Sequence, residues 1–196
     1  MSRRLDFVKT AKACIKKLAS EFTSNPYNFF SESDMKCRLY KLMFQYRNIN
    51  KLRPTKDGKM IHPLHSEVRY FNHDGRLLYQ VDLSAVFPES TDVYSKPKTE
   101  GIKLAKGYYA PRCTFAIELK LNKRYKKRKM LDLWEKDMKK LSDIRTRNPS
   151  LVCFCILFDK KNQILEANET ALLGTKYPGI ELVYANADGY INYMNF

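Results

Sequence analysis

The sequence predicts an α/β protein in which a mixed β-sheet is flanked by helices, and three observations support this class. Segments whose apolar residues recur at helical spacing alternate with shorter segments of period two, the spacing of strands. Two of the strand segments flank an Asp-Gly dipeptide, which favours an antiparallel hairpin. Further along, a helical segment leads into the continuously apolar stretch LVCFCILF, and such a strand–helix–strand unit favours a parallel crossover.

The length of 196 residues suits a single domain with a proper core. We expect one unit over 1–196, made of an N-terminal helical extension (1–30), a core (31–160) and a C-terminal elaboration (161–196). A hydrophobic fraction of 44% excludes a disordered chain.

The net charge of the chain is strongly positive. Lys and Arg number 36 against 21 Asp and Glu, a formal charge of +15, which indicates a polyanionic partner, most simply nucleic acid. A membrane surface is the alternative, but no apolar run approaches the about 20 residues of a spanning helix, and no signal peptide is visible. We therefore expect no membrane partner. Five cysteines, an odd number without a C-x-x-C motif, favour reduced thiols in a cytoplasmic protein.

The first third of the chain predicts two helices. Apolar residues at helical spacing predict the first over 4–22, with a lysine-rich polar side that we interpret as solvated. The second begins at Ser31, which forms a capping-box spacing with Asp34. Glu32 falls in the first turn of this helix, where the helix dipole alone would account for a carboxylate.

The next segment predicts a loop and a hairpin. Residues 48–63 are polar and broken by Pro54 and Gly58, so we expect a loop there. Strands over 67–71 and 76–87 then flank the turn at 72–75. In the second strand, period two gives an apolar face and an opposite polar face. The apolar face comprises Val81, Leu83, Ala85 and Phe87, and the polar face comprises Gln80, Asp82 and Ser84.

A long insertion and a third strand follow. Residues 88–111 contain prolines and glycines together with several lysines and tyrosines. We interpret the segment as a solvated loop, or as a loop that contacts a phosphate backbone. In the strand over 114–121, Glu118 and Lys120 project together from the face opposite its apolar residues.

The densest basic run, 122–129, leaves this strand directly, and contact with phosphate is there as plausible as simple solvation. Its candidate contacts are Lys123, Arg124, Lys126, Lys127 and Arg128. A helix containing Trp134 follows, and then the apolar strand over 151–158. We expect a short helix over 164–173 closed by Gly174, and a last strand over 180–184.

The acidic residues on the two neighbouring strands suggest a specific chemistry. Carboxylates such as Asp82 and Glu118, converging from adjacent strands, bind a hard divalent cation through oxygen. A lysine placed like Lys120 can hold or activate a water beside that cation. Such a cation stabilises the charge that builds on a phosphodiester in the transition state, and a basic surface attracts the polyanion. Together these features predict metal-dependent hydrolysis of nucleic acid.

These residues resemble the restriction-endonuclease-like superfamily with the PD-(D/E)XK motif. The resemblance covers about 30–160, and is carried by Val81-Asp82, by Ile117-Glu118-Leu119-Lys120, and by the helices around 31–40 and 137–141. It implies a restriction-endonuclease-like core with N-terminal helices. It also implies that Asp82, Glu118 and the backbone carbonyl of Leu119 ligate Mg²⁺ or Mn²⁺. Lys120 would orient or deprotonate the attacking water, and Glu32 would contribute as an outer ligand or through a bound water.

Two functional hypotheses remain open. The first is a Mg²⁺-dependent nuclease, most simply a DNA endonuclease, working as a homodimer or with a targeting subunit. The alternative is a catalytically inactive nucleic-acid-binding or assembly module on the same fold. A junction-cleaving dimer is a weaker option, and the sequence does not separate DNA from RNA. For Glu67 we favour a cross-strand pair with a lysine or arginine over metal binding.

Overall fold

The computed structural model describes residues 2–71, 77–90, 113–161, 165 and 167–196. The helices are α1 (Ser2–Ser24), α2 (Glu32–Phe44), α3 (Arg47–Asn50), α4 (Lys127–Arg147) and α5 (Ala167–Lys176). The strands are β1 (Arg53–Pro54), β2 (Met60–Ile61), β3 (Leu64–Phe71), β4 (Leu77–Val86), β5 (Cys113–Asn122), β6 (Val152–Asp159), β7 (Ile180–Asn186) and β8 (Ile191–Met194). Short 3₁₀ turns occupy Pro26–Asn28 and Pro88–Ser90.

The main sheet has six strands in the order β3-β4-β5-β6-β7-β8. The pairs β3–β4, β4–β5 and β7–β8 are antiparallel, while β5, β6 and β7 run parallel. Helix α4 forms the crossover between the parallel strands β5 and β6. The apolar stretch of β6 is continuous because helices cover both faces of the sheet. The predicted mixed α/β class with flanking helices is therefore confirmed.

The core has two halves, one on each face of the sheet. Helices α1, α2 and α3 cover the first face, and α4 and α5 cover the second. Strand alternation sends the large side chains of β5 and β6 to the first face: Phe115, Ile117, Leu119, Leu121, Phe154, Ile156 and Phe158. Smaller side chains of these strands meet Trp134, Met138 and Leu141 of α4 on the second face. Glu118 and Lys120 belong to this second face of β5.

Both predicted N-terminal helices are confirmed, and so is the capping box of α2. Ser31 Oγ accepts a hydrogen bond from the Asp34 N–H at 3.2 Å, and Asp34 Oδ2 accepts one from the Ser31 N–H at 2.8 Å. The backbone N–H of Ser31 stabilises the charged carboxylate and thereby lowers the pKa of Asp34. Glu32 is consequently fixed at the first position of α2.

The structure corrects three predictions outside the site. Residues 48–63 are not simply a loop, because α3 ends there and β1 pairs with β2 around a turn at Gly58, whose φ is +77°. Gly174 does not close a helix: α5 continues through it, and the Tyr177 N–H still donates to the Leu173 carbonyl at 3.0 Å. β7 is not the last strand, since the aromatic tail forms β8 against it.

The predicted apolar face of β4 is interrupted at Asp82. Leu83 and Ala85 face α1 and α2 as expected, but Val81 joins the cluster under α4. Opposite this point, Glu67 of β3 has φ of +54°, a left-handed conformation that breaks the regular alternation of a strand. The face prediction was therefore wrong for Val81, because period two fails across this kink.

Some predictions lie outside the described residues. They are the turn at 72–75, all but the first residues of the 88–111 insertion, and the start of the helix predicted over 164–173. All five cysteines are described, and none of them forms a disulfide; Cys14, Cys113, Cys153 and Cys155 are buried, and Cys37 is exposed. Among the described residues, no helix is long and apolar enough to cross a membrane.

Candidate active site

Asp82 and Glu118 come together where β4 and β5 stop pairing. The last paired positions toward this end are Leu83 and Ile117, so Asp82 and Glu118 occupy the next register position. There, Asp82 Oδ2 accepts a hydrogen bond from the Leu119 N–H at 2.9 Å. A carboxylate thus takes the place of a backbone acceptor, which fixes Asp82 beside the strand that carries Glu118.

Glu118 is a buried carboxyl group with one oxygen paired and one free. It is 5% exposed, and its Oε2 lies 2.7 Å from Nζ of Lys140 on α4. Its Oε1 is buried without a hydrogen-bond partner in the described part of the chain. Burial, together with the nearby charge of Asp82, raises the pKa of Glu118 to about 8 despite the opposing effect of Lys140. A buried oxygen in this state is available to a ligand.

Lys120 is held between two acidic groups from different helices. Its Nζ lies 3.3 Å from Asp137 Oδ2 on α4 and 3.6 Å from Glu32 Oε1 on α2. Burial alone would lower the pKa of Lys120, but the carboxylates of Asp137, Glu32 and Asp82 outweigh it and raise the pKa. The ammonium group therefore keeps its proton at neutral pH.

Glu32 and Lys36 bring α2 to the site. Glu32 Oε1 accepts a hydrogen bond from the Leu121 N–H at 3.3 Å, with about half of the side chain exposed. One turn further along α2, Lys36 Nζ lies 3.6 Å from Asp82 Oδ1 and also pairs with Glu67. The capping box of α2 thus positions both residues toward the point where β4 and β5 stop pairing.

Glu67 is paired, though not with the residue type expected across the strand. Its lysine partner is Lys36 of α2, and its cross-strand partner is Gln80 of β4, which donates a side-chain hydrogen bond. The prediction that Glu67 pairs with a lysine is confirmed, but the prediction that this lysine lies across the strand is wrong, because Lys36 belongs to α2. Glu67 lies at the sheet edge because β3 is the first strand of the sheet.

The cluster as a whole is acidic within a basic chain. It contains five carboxylates and three ammonium groups, which leaves a formal excess of two negative charges. The carboxylates are Glu32, Glu67, Asp82, Glu118 and Asp137, and the ammonium groups are Lys36, Lys120 and Lys140. Within the described ranges, no three His, Cys, Asp or Glu side chains are grouped so that they could hold a metal ion. The side-chain oxygens that could hold an ion here are those of Asp82 and Glu118, two ligand residues rather than three.

Three of these residues, Lys36, Asp137 and Lys140, were not predicted as site residues, although they lie in segments that carry the family resemblance. Asp137 and Lys140 are three positions apart on α4, with Lys140 Nζ 3.7 Å from Asp137 Oδ1. That spacing is a recognisable signal for one helix face. Lys36 had no such signal, because its contacts depend on how α2 packs across β3 and β4.

The predicted nucleic-acid contacts of the basic run differ in whether their side chains already contact other groups of the protein. Lys127 Nζ lies 2.6 Å from Glu169, and Lys123 Nζ donates to the Phe30 carbonyl at 2.6 Å. Arg124 stacks on the adjacent Tyr125 ring, at 5.1 Å from its centroid. Lys126 and Arg128 are exposed. Two of the five candidates are therefore fully available to solvent, and the others are partly engaged.

A solved structure similar to this chain is that of NucC from E. coli MS115-1 in its cAAA-bound form. The two share 9% sequence identity with a TM-score of 0.49, over 98% of this chain and 83% of NucC. A likeness at this level transfers no activity, ligand or assembly. No protein-family model and no curated protein matches the chain.

Proposed function

We propose that this protein is a metal-dependent nuclease that hydrolyses phosphodiester bonds of nucleic acid, and that it acts as a DNA endonuclease. The observation that supports this best is the position of Asp82, Glu118 and Lys120. They meet at the end of the β4–β5 pairing, and the buried Glu118 Oε1 has no partner among the described residues. The formal charge of +15 supports a polyanionic substrate.

We propose that Asp82, Glu118 and the main-chain carbonyl of Leu119 hold Mg²⁺ or Mn²⁺. Carboxylate and carbonyl oxygens are the ligands that such hard cations take. When bound, the ion supplies positive charge to the phosphate and its attacking water. With Glu118 ionised, the cluster has an excess of two negative charges, which matches one divalent cation.

In this proposal the lysines have separate tasks. Lys120 keeps its proton because Asp137 and Glu32 hold it, so it orients water and phosphate rather than acting as a base. Lys140 partners Glu118, and Lys36 partners Asp82. Both pairs keep the carboxylates in place. Glu32 reaches the site through Lys120, which supports its predicted role as an outer contributor.

The experiment is a cleavage assay on supercoiled, linear and single-stranded DNA and on RNA, with Mg²⁺ or EDTA. We expect cleavage of supercoiled DNA that requires the metal and falls by about 100-fold or more in Asp82→Ala and Lys120→Ala, since each removes a group at the reacting phosphate. Asp132→Ala and Lys139→Ala, exposed residues on the same α4 helix that supplies Asp137, serve as matched controls. Cleavage that persists in Asp82→Ala would contradict the proposal.

The inactive nucleic-acid-binding module has one observation in its favour. Lysine ammonium groups already neutralise both candidate ligands, Lys36 at Asp82 and Lys140 at Glu118. If these ion pairs are permanent, the wild-type protein binds nucleic acid but neither takes up Mn²⁺ nor cleaves with Mg²⁺. Calorimetric titration of the protein with Mn²⁺ separates the two functions. The molar mass of the protein in solution tests a homodimer independently.

A further inference from the structure

Two aromatic side chains project from the surface in the turn before α2. Tyr27 is 79% exposed and Phe30 is 75% exposed. Single exposed aromatic residues are ordinary in soluble proteins. These two, however, share one cation: Lys160 Nζ lies 5.6 Å from the Tyr27 ring centroid and 5.9 Å from the Phe30 ring centroid. Cations at this distance are attracted to ring faces. With Lys123, these residues form what we call the aromatic–lysine platform.

The exposure of Phe30 is not explained by folding. It precedes the cap residue Ser31, a position where an apolar side chain commonly packs on the residue four places after the cap. That residue, Met35, is fully buried, while Phe30 stays in solvent. The Phe30 ring therefore does not make the packing contact with Met35 that is common at this position.

The platform carries two positive charges. Within the described part of the chain, neither Lys123 nor Lys160 forms an ion pair with a carboxylate. The carboxylate of Asp34 attracts both lysines electrostatically but forms its hydrogen bonds with the Phe30 and Ser31 N–H groups, at 2.8 Å each. Lys123 donates to the Phe30 carbonyl at 2.6 Å and keeps two further ammonium protons. Partial burial and the Lys123 charge lower the pKa of Lys160, as expected for two neighbouring cations.

The platform lies next to the candidate active site. Phe30 is two residues before Glu32, whose carboxylate accepts the Leu121 N–H at 3.3 Å. Lys123 comes three residues after Lys120 and reaches back to Phe30. The turn before α2 and the end of β5 thus connect the two exposed rings directly to the acidic cluster.

We propose that the platform binds an unpaired segment of nucleic acid, with bases stacking on Tyr27 and Phe30 and phosphates contacting Lys123 and Lys160. Aromatic faces accept every base, and adjacent lysines follow the backbone, which is the chemistry of single-strand binding. This inference deepens the proposed function and rests on it for the role of that segment: the substrate would carry unpaired nucleotides beside the cleaved bond.

Binding in EDTA tests the platform without cleavage. The probes are fluorescein-labelled oligothymidylate and oligouridylate of about 15 nucleotides and a DNA duplex of equal length. For the double variant Tyr27→Ala/Phe30→Ala we expect at least about tenfold weaker binding of the single strands and little change for the duplex. Tyr46→Ala, an exposed aromatic residue elsewhere, is the matched control. Tighter binding of oligothymidylate would indicate DNA as the ligand, and tighter binding of oligouridylate would indicate RNA.

Conservative variants separate stacking from apolar contact and from misfolding. Phe30→Leu keeps an apolar side chain but removes the ring face, so we expect weaker single-strand binding; unchanged binding would overturn the proposal. Phe30→Trp should retain binding and report on it directly. The chain has a single tryptophan, Trp134, and it is fully buried, so quenching of the new indole by oligothymidylate would show base contact. Absence of quenching at saturation would overturn the proposal.

The outcomes for the platform and for the nuclease are distinguishable. If the double variant binds single strands as tightly as the wild type, the platform is wrong, whatever the cleavage assay gives. If ring-dependent binding holds but the wild type cleaves nothing with Mg²⁺, the nuclease proposal fails and the platform stands. Charge is tested with Lys123→Gln/Lys160→Gln, which should lower the salt slope of single-strand binding by about 1.4, or about 0.7 per phosphate. An unchanged slope would contradict the phosphate contacts.

Discussion

At the scale of single residues, Glu118 has an unusual position for an acidic group. Its carboxyl is 5% exposed, one oxygen pairs with Lys140, and burial raises its pKa to about 8. Carboxylic acids are seldom buried this far unless they are paired or bind a metal. In the metal-free protein the ionised form of Glu118 is therefore destabilised, and the free energy of unfolding should depend on pH.

We expect the contribution of Glu118 to the stability of the metal-free protein to fall as pH rises from about 4.5 to about 8. In that window the unfolded chain releases the Glu118 proton while the folded chain retains it, so ionisation favours unfolding. Glu118→Gln removes this term. In EDTA, the free energy of unfolding of the variant minus that of the wild type should rise by a few kcal/mol across the window, at about 1.4 kcal/mol per pKa unit. Urea titrations at several pH values measure it.

Asp6→Asn, which removes an exposed carboxylate of α1 outside the cluster, is the control. A difference between Glu118→Gln and the wild type that is constant with pH would mean that Glu118 ionises normally in the folded protein. Added Mg²⁺ should flatten the wild-type slope, because a bound cation favours the ionised carboxylate and releases its proton.

At the scale of elements, α2 positions one side of the site through its capped N-terminus. The reciprocal hydrogen bonds of Ser31 and Asp34 fix the first turn, and Glu32 within it contacts the end of β5. The hydrogen bonds of the cap therefore determine where Glu32 lies relative to Lys120 and where Lys36 lies relative to Asp82.

We expect Ser31→Ala to lower the free energy of unfolding by about 1 kcal/mol, because it leaves the Asp34 N–H without its acceptor. Cleavage should fall at temperatures well below the unfolding transition, since the first turn of α2 loosens. Ser142→Ala, in the interior of α4, should change stability by less than about 0.5 kcal/mol and leave cleavage intact. If Ser31→Ala changes neither quantity, the cap does not position the site.

Most elements could be predicted from the sequence, and the failures have physical reasons. Strand β5 and the shared face of Glu118 and Lys120 follow from period two alone, and the capping box located α2 to the residue. Strand β8 could not be predicted, since its pairing with β7 depends on tertiary contacts of an aromatic tail. The position of Val81 on the second face could not be predicted either, because it coincides with an irregularity of the neighbouring strand at Glu67. The contacts of Lys36 and Lys140 required the packing of helices on both faces.

At the scale of the whole molecule, positive charge surrounds a locally acidic centre. The formal charge is +15, yet the cluster around Asp82 and Glu118 has an excess of negative charge. A polyanion is attracted by the surface as a whole, while the cluster repels phosphate unless a cation neutralises it. Binding and cleavage should therefore respond differently to metal.

We expect Lys126→Ala/Lys127→Ala/Arg128→Ala to reduce the salt slope of duplex DNA binding by about 2, at about 0.9 per phosphate. The reduction is smaller than three contacts would give, because Lys127 already pairs with Glu169 at 2.6 Å. The slope is measured by fluorescence anisotropy over a range of salt concentrations. Alanine at Lys9, Lys17 and Lys51, all exposed, removes the same charge elsewhere. Equal effects from both triple variants would mean that the basic run contributes only general charge.

The distribution of the five thiols has a practical consequence. Four are buried, and burial raises the pKa of Cys14 to about 11 and of Cys153 to about 12, so they are poor nucleophiles at neutral pH. Cys37 is exposed on α2, one residue beyond Lys36. A maleimide dye should therefore attach at one place in the native protein, on the helix that carries Glu32, without any cysteine being removed first. Its emission would follow movements of α2 as metal and nucleic acid are added.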